Sequence, residues 1–250
     1  MEFTYKGYQK LLELVVEHGY QISNYNNWQK TKRCVIFRHD IDYDLDKAVR
    51  LAEMESIRGV SSTYFVLLTS DLYNAFSTKS RIGLKQIVTG GHTIGLHFDE
   101  VCYPELSGDV EAIKRKIKEE AEILSGIIEK KVDVVSMHRP SKFILEADIG
   151  IPGMINSYGS TYFKEFKYLS DSRRRWREPV EKIILSEKYE RLHVLTHAFW
   201  YNESEKNIHE TVTGFINSGN YTRYQIMETN ITDLRSVMCA DEVIGKETAI

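Results

Sequence analysis

A chain of 250 residues with 42% hydrophobic and 28% charged residues has the composition of an ordinary globular protein, and one large domain spanning 1–250 is expected. The formal charge of −3, with Arg173-Arg174-Arg175 as the densest basic run, excludes a footprint for nucleic acid or an anionic membrane. Cys34, Cys102 and Cys239 lack CxxC spacing, which argues against a disulfide framework, and no apolar run approaches the roughly 20 residues of a membrane span. Met1 to Tyr8 lacks the pattern of a secretory signal, so a cytoplasmic protein is expected.

The predicted elements alternate. Tyr8, Leu11, Leu12, Val15 and Val16 form a helical stripe over Tyr5–His18 that Gly19 ends, and the polar segment from Tyr20 to Lys32 reads as a loop. A buried strand is predicted at Cys34–Phe37, a helix at Asp44–Arg58 and a second strand at Ser62–Leu68. Leu84–Val88 reads as the end of a helix, Thr93–Phe98 as a strand, Asp109–Ile128 as the longest helix and Val132–Met137 as a fourth strand. Phe143 to Trp176 reads as irregular. Ile183–Leu185 and Leu192–Thr196 are predicted strands, followed by a helix over Ile208–Phe215, a Gly-Asn turn and a final helix. Strand and helix in repeated alternation imply an α/β fold with a parallel sheet.

Chemistry in parallel sheets gathers at the carboxyl ends of strands. Asp40, Asp42, His97, His138 and His197 all fall there. In Phe37-Arg38-His39-Asp40-Ile41-Asp42 the period of an extended chain puts Asp40 and Asp42 on one side, where two carboxylates repel unless a cation or shared proton intervenes. The bland alternative is an acidic helix N-terminus, since Asp44 and Asp46 follow. Asp and His together are competent ligands for a divalent ion, which polarises a carbonyl and acidifies water; a second carboxylate then takes the proton.

His39-Asp40-Ile41-Asp42, Gly91-His92-Thr93-Ile94-Gly95-Leu96-His97, Asp171 to Trp176, His138-Arg139-Pro140 and Leu195-Thr196-His197 together resemble the motifs of the polysaccharide deacetylase family, the NodB-homology carbohydrate esterases. The resemblance runs from about Val35 to Trp200 and is closest to a divergent branch with HDxD in place of adjacent aspartates. It implies a distorted (β/α)7 barrel and a metal-dependent hydrolase removing an acetyl group, N-acetyl by preference, from a sugar. It further implies that Asp40 is the base, Asp42 and His97 bind the metal, and Arg139 pairs with and orients the base. His197 matches the acid, Leu195 lines the acetyl pocket, Trp176 walls it, and Asp171 lies near His197. The implied cofactor is a divalent metal, zinc first, with cobalt or nickel as alternatives. The implied partner is an acetylated, nucleotide- or lipid-linked saccharide on its way to a surface polysaccharide.

The sequence departs from the family in two ways. Val101 stands where a second metal histidine is usual, so the third ligand is expected to be His138, with Asp99 and Glu100 as reserves. Ile41 separates the two carboxylates. His92 and His193 read as structural, His39 either touches the site or packs in the core behind it, and His18 and His209 read as surface residues. The alternatives are a catalytically silent carbohydrate-binding protein on the same fold, or a hydrolase of a small non-sugar amide or imide.

Overall fold

The computed structural model describes residues 1–243. Residues 1–203 and those from Ser204 onward form two compact units, described here in turn.

The first unit opens with α1 (Tyr5–Glu17), whose Thr4 cap accepts from Gly7 N–H, followed by β1 (Gln21–Ser23) and β2 (Cys34–Ile41). Then come α2 (Leu45–Ile57), β3 (Thr63–Val66), α3 (Thr78–Thr89), β4 (Thr93–Phe98), α4 (Val110–Ile128) and β5 (Val134–Met137). Short pieces follow: α5 (Lys142–Ala147), β6 (Ile155–Asn156), α6 (Ser160–Lys164), β7 (Lys167–Ser170), α7 (Val180–Leu185) and finally β8 (Arg191–Thr196). Asp44 and Asp109 cap α2 and α4 with their side chains, as the acidic residues before each apolar stripe predict.

Seven strands pair in the order β6-β5-β4-β3-β2-β8-β7, every pair parallel, and β1 adds to the start of β2. The sheet is curled. In a flat sheet β5 would lie about 14 Å from β2, farther than an arginine and a serine side chain can span. Yet Arg38 of β2 hydrogen-bonds Ser136 of β5 and, at 3.0 Å, Ser157 just past β6. Ile36, Phe65 and Val134, from three different strands, meet Tyr25, Trp28, Tyr162 and Phe166 in one interior cluster. The fold is the distorted (β/α)7 barrel, with β6 and β7 as its unpaired ends among the described residues. Strands covered on both faces explain why β2 is buried at all eight of its positions.

Several sequence expectations are corrected. Ile183–Leu185 belongs to helix α7: Val180 and Ile184, four apart, are buried while Leu185 is exposed, a helical face that a three-residue apolar run cannot distinguish from a strand. β1 lies inside the expected loop, and β7 inside the expected irregular stretch; β1 is too short and β7 too polar to show a period.

In the second unit α8 (Ile208–Asn230) begins with a reciprocal capping box between Asn207 and Glu210. It runs straight through Gly219-Asn220, where a turn was expected. The cost of one helical glycine, about 1 kcal/mol, does not interrupt so long a helix. A short α9 (Leu234–Val237) follows, and Tyr224 donates to the Met238 carbonyl at 2.9 Å just beyond it. Among the described residues no helix is long and apolar enough to cross a membrane.

Candidate active site

β2 continues past Phe37, so Arg38, Asp40 and then Asp42 project inward at alternate positions. Arg38 is wholly buried. Its Nη2 donates to both Asp40 oxygens, at 2.9 and 2.7 Å, and its Nε to Oδ1 at 3.2 Å. The guanidinium also lies over the rings of Phe65 (4.9 Å) and Tyr158 (5.2 Å). Burial opposes ionisation of Asp40, but Arg38 overrides it, aided by His97 and His197, and holds the carboxyl below its ordinary range.

The glycine-rich string serves this ion pair. Gly91, at φ +91°, makes the turn into β4, a conformation that suits glycine. Gly95 lies opposite Phe65 in register, and a Cβ there would come within 2.5 Å of the Phe65 ring. The missing side chain lets the ring lie flat beneath Arg38.

Three strand ends then converge. Asp42 follows β2, His97 is the fifth residue of β4, and His138 follows β5, its N–H tied to the Phe98 carbonyl at 2.7 Å. Asp42 Oδ1 lies 3.2 Å from His97 Nε2 and 3.5 Å from His138 Nδ1, and the two ring nitrogens are 3.1 Å apart. Asp42 Oδ1 is nonetheless buried without a hydrogen-bond partner. Burial works against its charge, but the two imidazoles hold its carboxyl well below the ordinary range. Asp40 Oδ2 stands 3.5 Å from His97 Nε2, beside this triangle.

The triangle fits a metal. Ligands about 2.0–2.1 Å from a tetrahedral zinc stand about 3.3–3.4 Å from one another. Asp42, His97 and His138 offer three donor atoms with edges of 3.1 to 3.5 Å, and these residues form the one group of metal-ligating type found among the described residues. The two reserves are engaged elsewhere: Glu100 accepts from the Ser141 backbone and hydroxyl, and Asp99 accepts from Val101 N–H and from Arg139. Val101 itself is exposed.

On the facing wall His197 follows β8. Its Nδ1 donates to Asp171 Oδ1 at 2.7 Å, leaving Nε2 3.8 Å from Asp42 Oδ2. Asp171 is fully buried and also accepts from His197 N–H (3.1 Å) and from the Tyr201 hydroxyl (3.1 Å). Burial alone would lower the pKa of His197, but Asp171, followed by Asp42 and Asp40, raises it to about 9.

One pairing differs from expectation. Arg139 does not reach Asp40; it bonds Asp99 Oδ2 at 2.7 Å with its side chain mostly in solvent. The backbone turns left-handed there (φ +45°) just after β5 ends and throws the side chain to the rim. Arg38 occupies the place beside Asp40 instead. Sequence reading passed over Arg38 although it sits two residues before Asp40 on the same strand face. Leu195 is buried on β8, in register with Arg38 and so on the inner face. Trp176 is half-buried, its indole N–H without a hydrogen-bond partner. Of the other histidines, His193 meets the Tyr25 hydroxyl through Nε2 (2.7 Å) while its Nδ1 is buried without a hydrogen-bond partner, His92 meets Ser56, Ala52 and Ser62, and His18 meets Glu187 at the surface.

No protein-family model and no curated protein sequence matches the chain. Among solved structures it is similar to a CE4 esterase of Streptococcus mutans, with 16% identity over 80% of this chain and 84% of that one (TM-score 0.49). It is also similar to a polysaccharide deacetylase from Bacillus cereus, with 14% identity over 66% and 79% (TM-score 0.45). A CE4 family pseudoenzyme from Bacillus anthracis aligns with 14% identity over 74% of this chain (TM-score 0.45), and the chain spans only 60% of that protein.

Proposed function

We propose that this chain is a metal-dependent deacetylase that removes an acetyl group, N-acetyl by preference, from a sugar or sugar precursor of a surface polysaccharide. The observation that carries the reading is the orphaned, buried Asp42 Oδ1, which shares a triangle of metal-compatible dimensions with His97 and His138. Those three residues would hold the ion, zinc first, with cobalt or nickel as alternatives. A divalent ion there supplies Lewis acidity towards a carbonyl and acidifies water.

The chain's own groups divide the remaining work. Asp40, kept ionised by Arg38, accepts the proton of the attacking water; Arg38 fixes both carboxylate oxygens so that the base presents one orientation. His197, aimed by Asp171, which also raises its pKa, donates its Nε2 proton to the departing nitrogen, which leaves poorly as an anion. Leu195 supplies an apolar surface for the acetyl methyl group, and Trp176 a wall beyond it. Arg139 acts at the rim through Asp99, whose Oδ2 lies 3.9 Å from His138 Nε2. The order of the sequence motifs supports an acetylated saccharide as substrate.

The test is acetate release from N-acetylated chito-oligosaccharides by zinc-, cobalt- and nickel-loaded protein. Acetate and free amine should appear in equal amounts and be lost in His197→Ala. Saccharide binding without acetate under all three metals would make the protein a silent binder. Acetate from a small amide or imide alone would move the substrate class.

A further inference from the structure

The loop between β7 and α7 leaves the barrel at the end that carries Asp42, His97, His138 and His197. β7 pairs with β8, so this loop is the neighbour of His197, and its first residue is Asp171 itself. Four of the next six residues are arginines: Arg173, Arg174, Arg175 and Arg177. Arg174 is half-buried, with its guanidinium 4.9 Å over the Phe3 ring. Arg173, Arg175 and Arg177 are exposed, and none forms an ion pair with a carboxylate among the described residues.

The carboxylates that ought to neutralise them are committed. Asp171 takes the side chains of His197 and Tyr201, and Glu178 is held by Lys167 at 2.6 Å. The loop is also constrained. Arg173 and Arg174 both lie in the left-handed region, at φ +60° and +56°, a conformation unfavourable for long side chains. Ser172 N–H donates to the Ser170 hydroxyl, Arg175 N–H to the Asp171 carbonyl at 3.2 Å, and Arg177 N–H to the Ser170 carbonyl at 3.4 Å. The backbone that carries these three like charges is thus pinned at both ends of the run.

We propose that Arg173, Arg175 and Arg177 form an anion subsite at the rim of the active site, which takes the phosphate or diphosphate of an activated acetylated saccharide. Guanidinium forks match phosphate oxygens in pairs, and three in five residues exceed what a single sugar carboxylate needs. Arg173 lies two residues from Asp171, so its Cα is within about 7 Å of the residue that holds His197. This inference rests on the deacetylase reading for its reaction, not for its binding.

Binding is measured first, by calorimetry with inorganic pyrophosphate on the full chain in EDTA, which keeps the anion off any metal. Wild type should bind, and Arg173→Ala/Arg175→Ala/Arg177→Ala should bind roughly tenfold or more weakly, with the difference shrinking at high salt. Lysines at the same positions should restore part of the affinity, since they keep charge and lose the fork. Kinetics then compare UDP-N-acetylglucosamine, a polyprenyl-diphosphate-linked N-acetylglucosamine and a neutral chito-oligosaccharide. The triple alanine variant should raise KM for whichever diphosphate substrate is used, leaving its kcat and the neutral substrate untouched; the preferred substrate identifies nucleotide or lipid as the source. Equal pyrophosphate binding by wild type and variant, or equal loss on charged and neutral substrates, overturns the subsite. Arginine-dependent pyrophosphate binding without acetate release from any substrate upholds the subsite and defeats the deacetylase reading.

Discussion

The two faces of β2 each carry a buried cluster of carboxylates and histidines, and they differ in how the clusters are closed. On the outer face His39 meets Glu55 of α2. Glu55 accepts from Tyr8 (2.6 Å), Ser62 (2.8 Å) and Tyr64 (2.6 Å), and faces His39 Nε2 at 3.1 Å, while His39 Nδ1 meets Thr196 at 2.6 Å. Burial would raise the Glu55 pKa, yet His39, His92 and the Tyr64 hydroxyl bring it to about 2. Both of its oxygens are satisfied. On the inner face Asp40 is satisfied by Arg38, but one residue pair further on Asp42 Oδ1 has no hydrogen-bond partner. Similar residue types one strand position apart thus serve two ends: a completed network holds α1 and α2 to the sheet, and an incomplete one leaves room for a ligand.

Breaking the inner cluster should cost chemistry. Asp40→Asn keeps the shape of the side chain and removes the base, so kcat should fall by roughly 10³-fold while metal content persists, as steady-state kinetics with elemental analysis will check. Loss of both together would place Asp40 among the ligands. Breaking the outer cluster should cost stability instead. Glu55→Gln should lose about 3 kcal/mol in urea unfolding at pH 7, with kcat per folded molecule near wild type.

The same comparison has a pH signature. The Glu55 pKa is depressed from an ordinary 4.5 to about 2, so the unfolded state takes up the proton more readily. Its stabilisation is full above about pH 5 and is lost as pH falls towards 2, on the order of 3 kcal/mol in all. Unfolding curves between pH 2.5 and 7 should be flatter for Glu55→Gln than for wild type. A smaller effect is expected at His197. Asp171→Asn removes the anion that raises its pKa, and an acid is active only below its pKa. The alkaline limb of kcat should therefore move to lower pH by about 1–2 units, as a pH–rate profile will register. Smallest is Gly95→Ala, which crowds Phe65 and should destabilise by about 1–3 kcal/mol in thermal unfolding.

Much of this was legible in the sequence. α1, α2 and α4 show their stripes in the sequence, whereas α8, at 23 residues longer than the 19 of α4 that was expected to be the longest, was divided at Gly219-Asn220; the placement of His97, His138 and His197 at strand ends follows from alternation alone. His138 converging on Asp42 and His97 needed the barrel, because a linear chain does not say which strand ends meet. Arg38 was open to view, since the period that pairs Asp40 with Asp42 pairs Arg38 with Asp40. Arg139 follows His138 in the motif that implies the pairing, and the left-handed turn that carries Arg139 outward has no mark in the sequence. β1 and β6 escaped because two or three residues are too few to show a period, and β7, no shorter than β3 and β5, because Lys167 and Ser170 leave it no apolar run.

The most direct test of the central claim is metal content by elemental analysis after reconstitution with zinc, cobalt or nickel. It should be made on wild type, Asp42→Ala, His97→Ala, His138→Ala and Glu55→Gln. Near one ion per chain is expected in wild type and in Glu55→Gln, with loss in the other three. Wild-type protein that takes up no metal, or His138→Ala that keeps it in full, would contradict the assignment of the inner cluster as a metal centre.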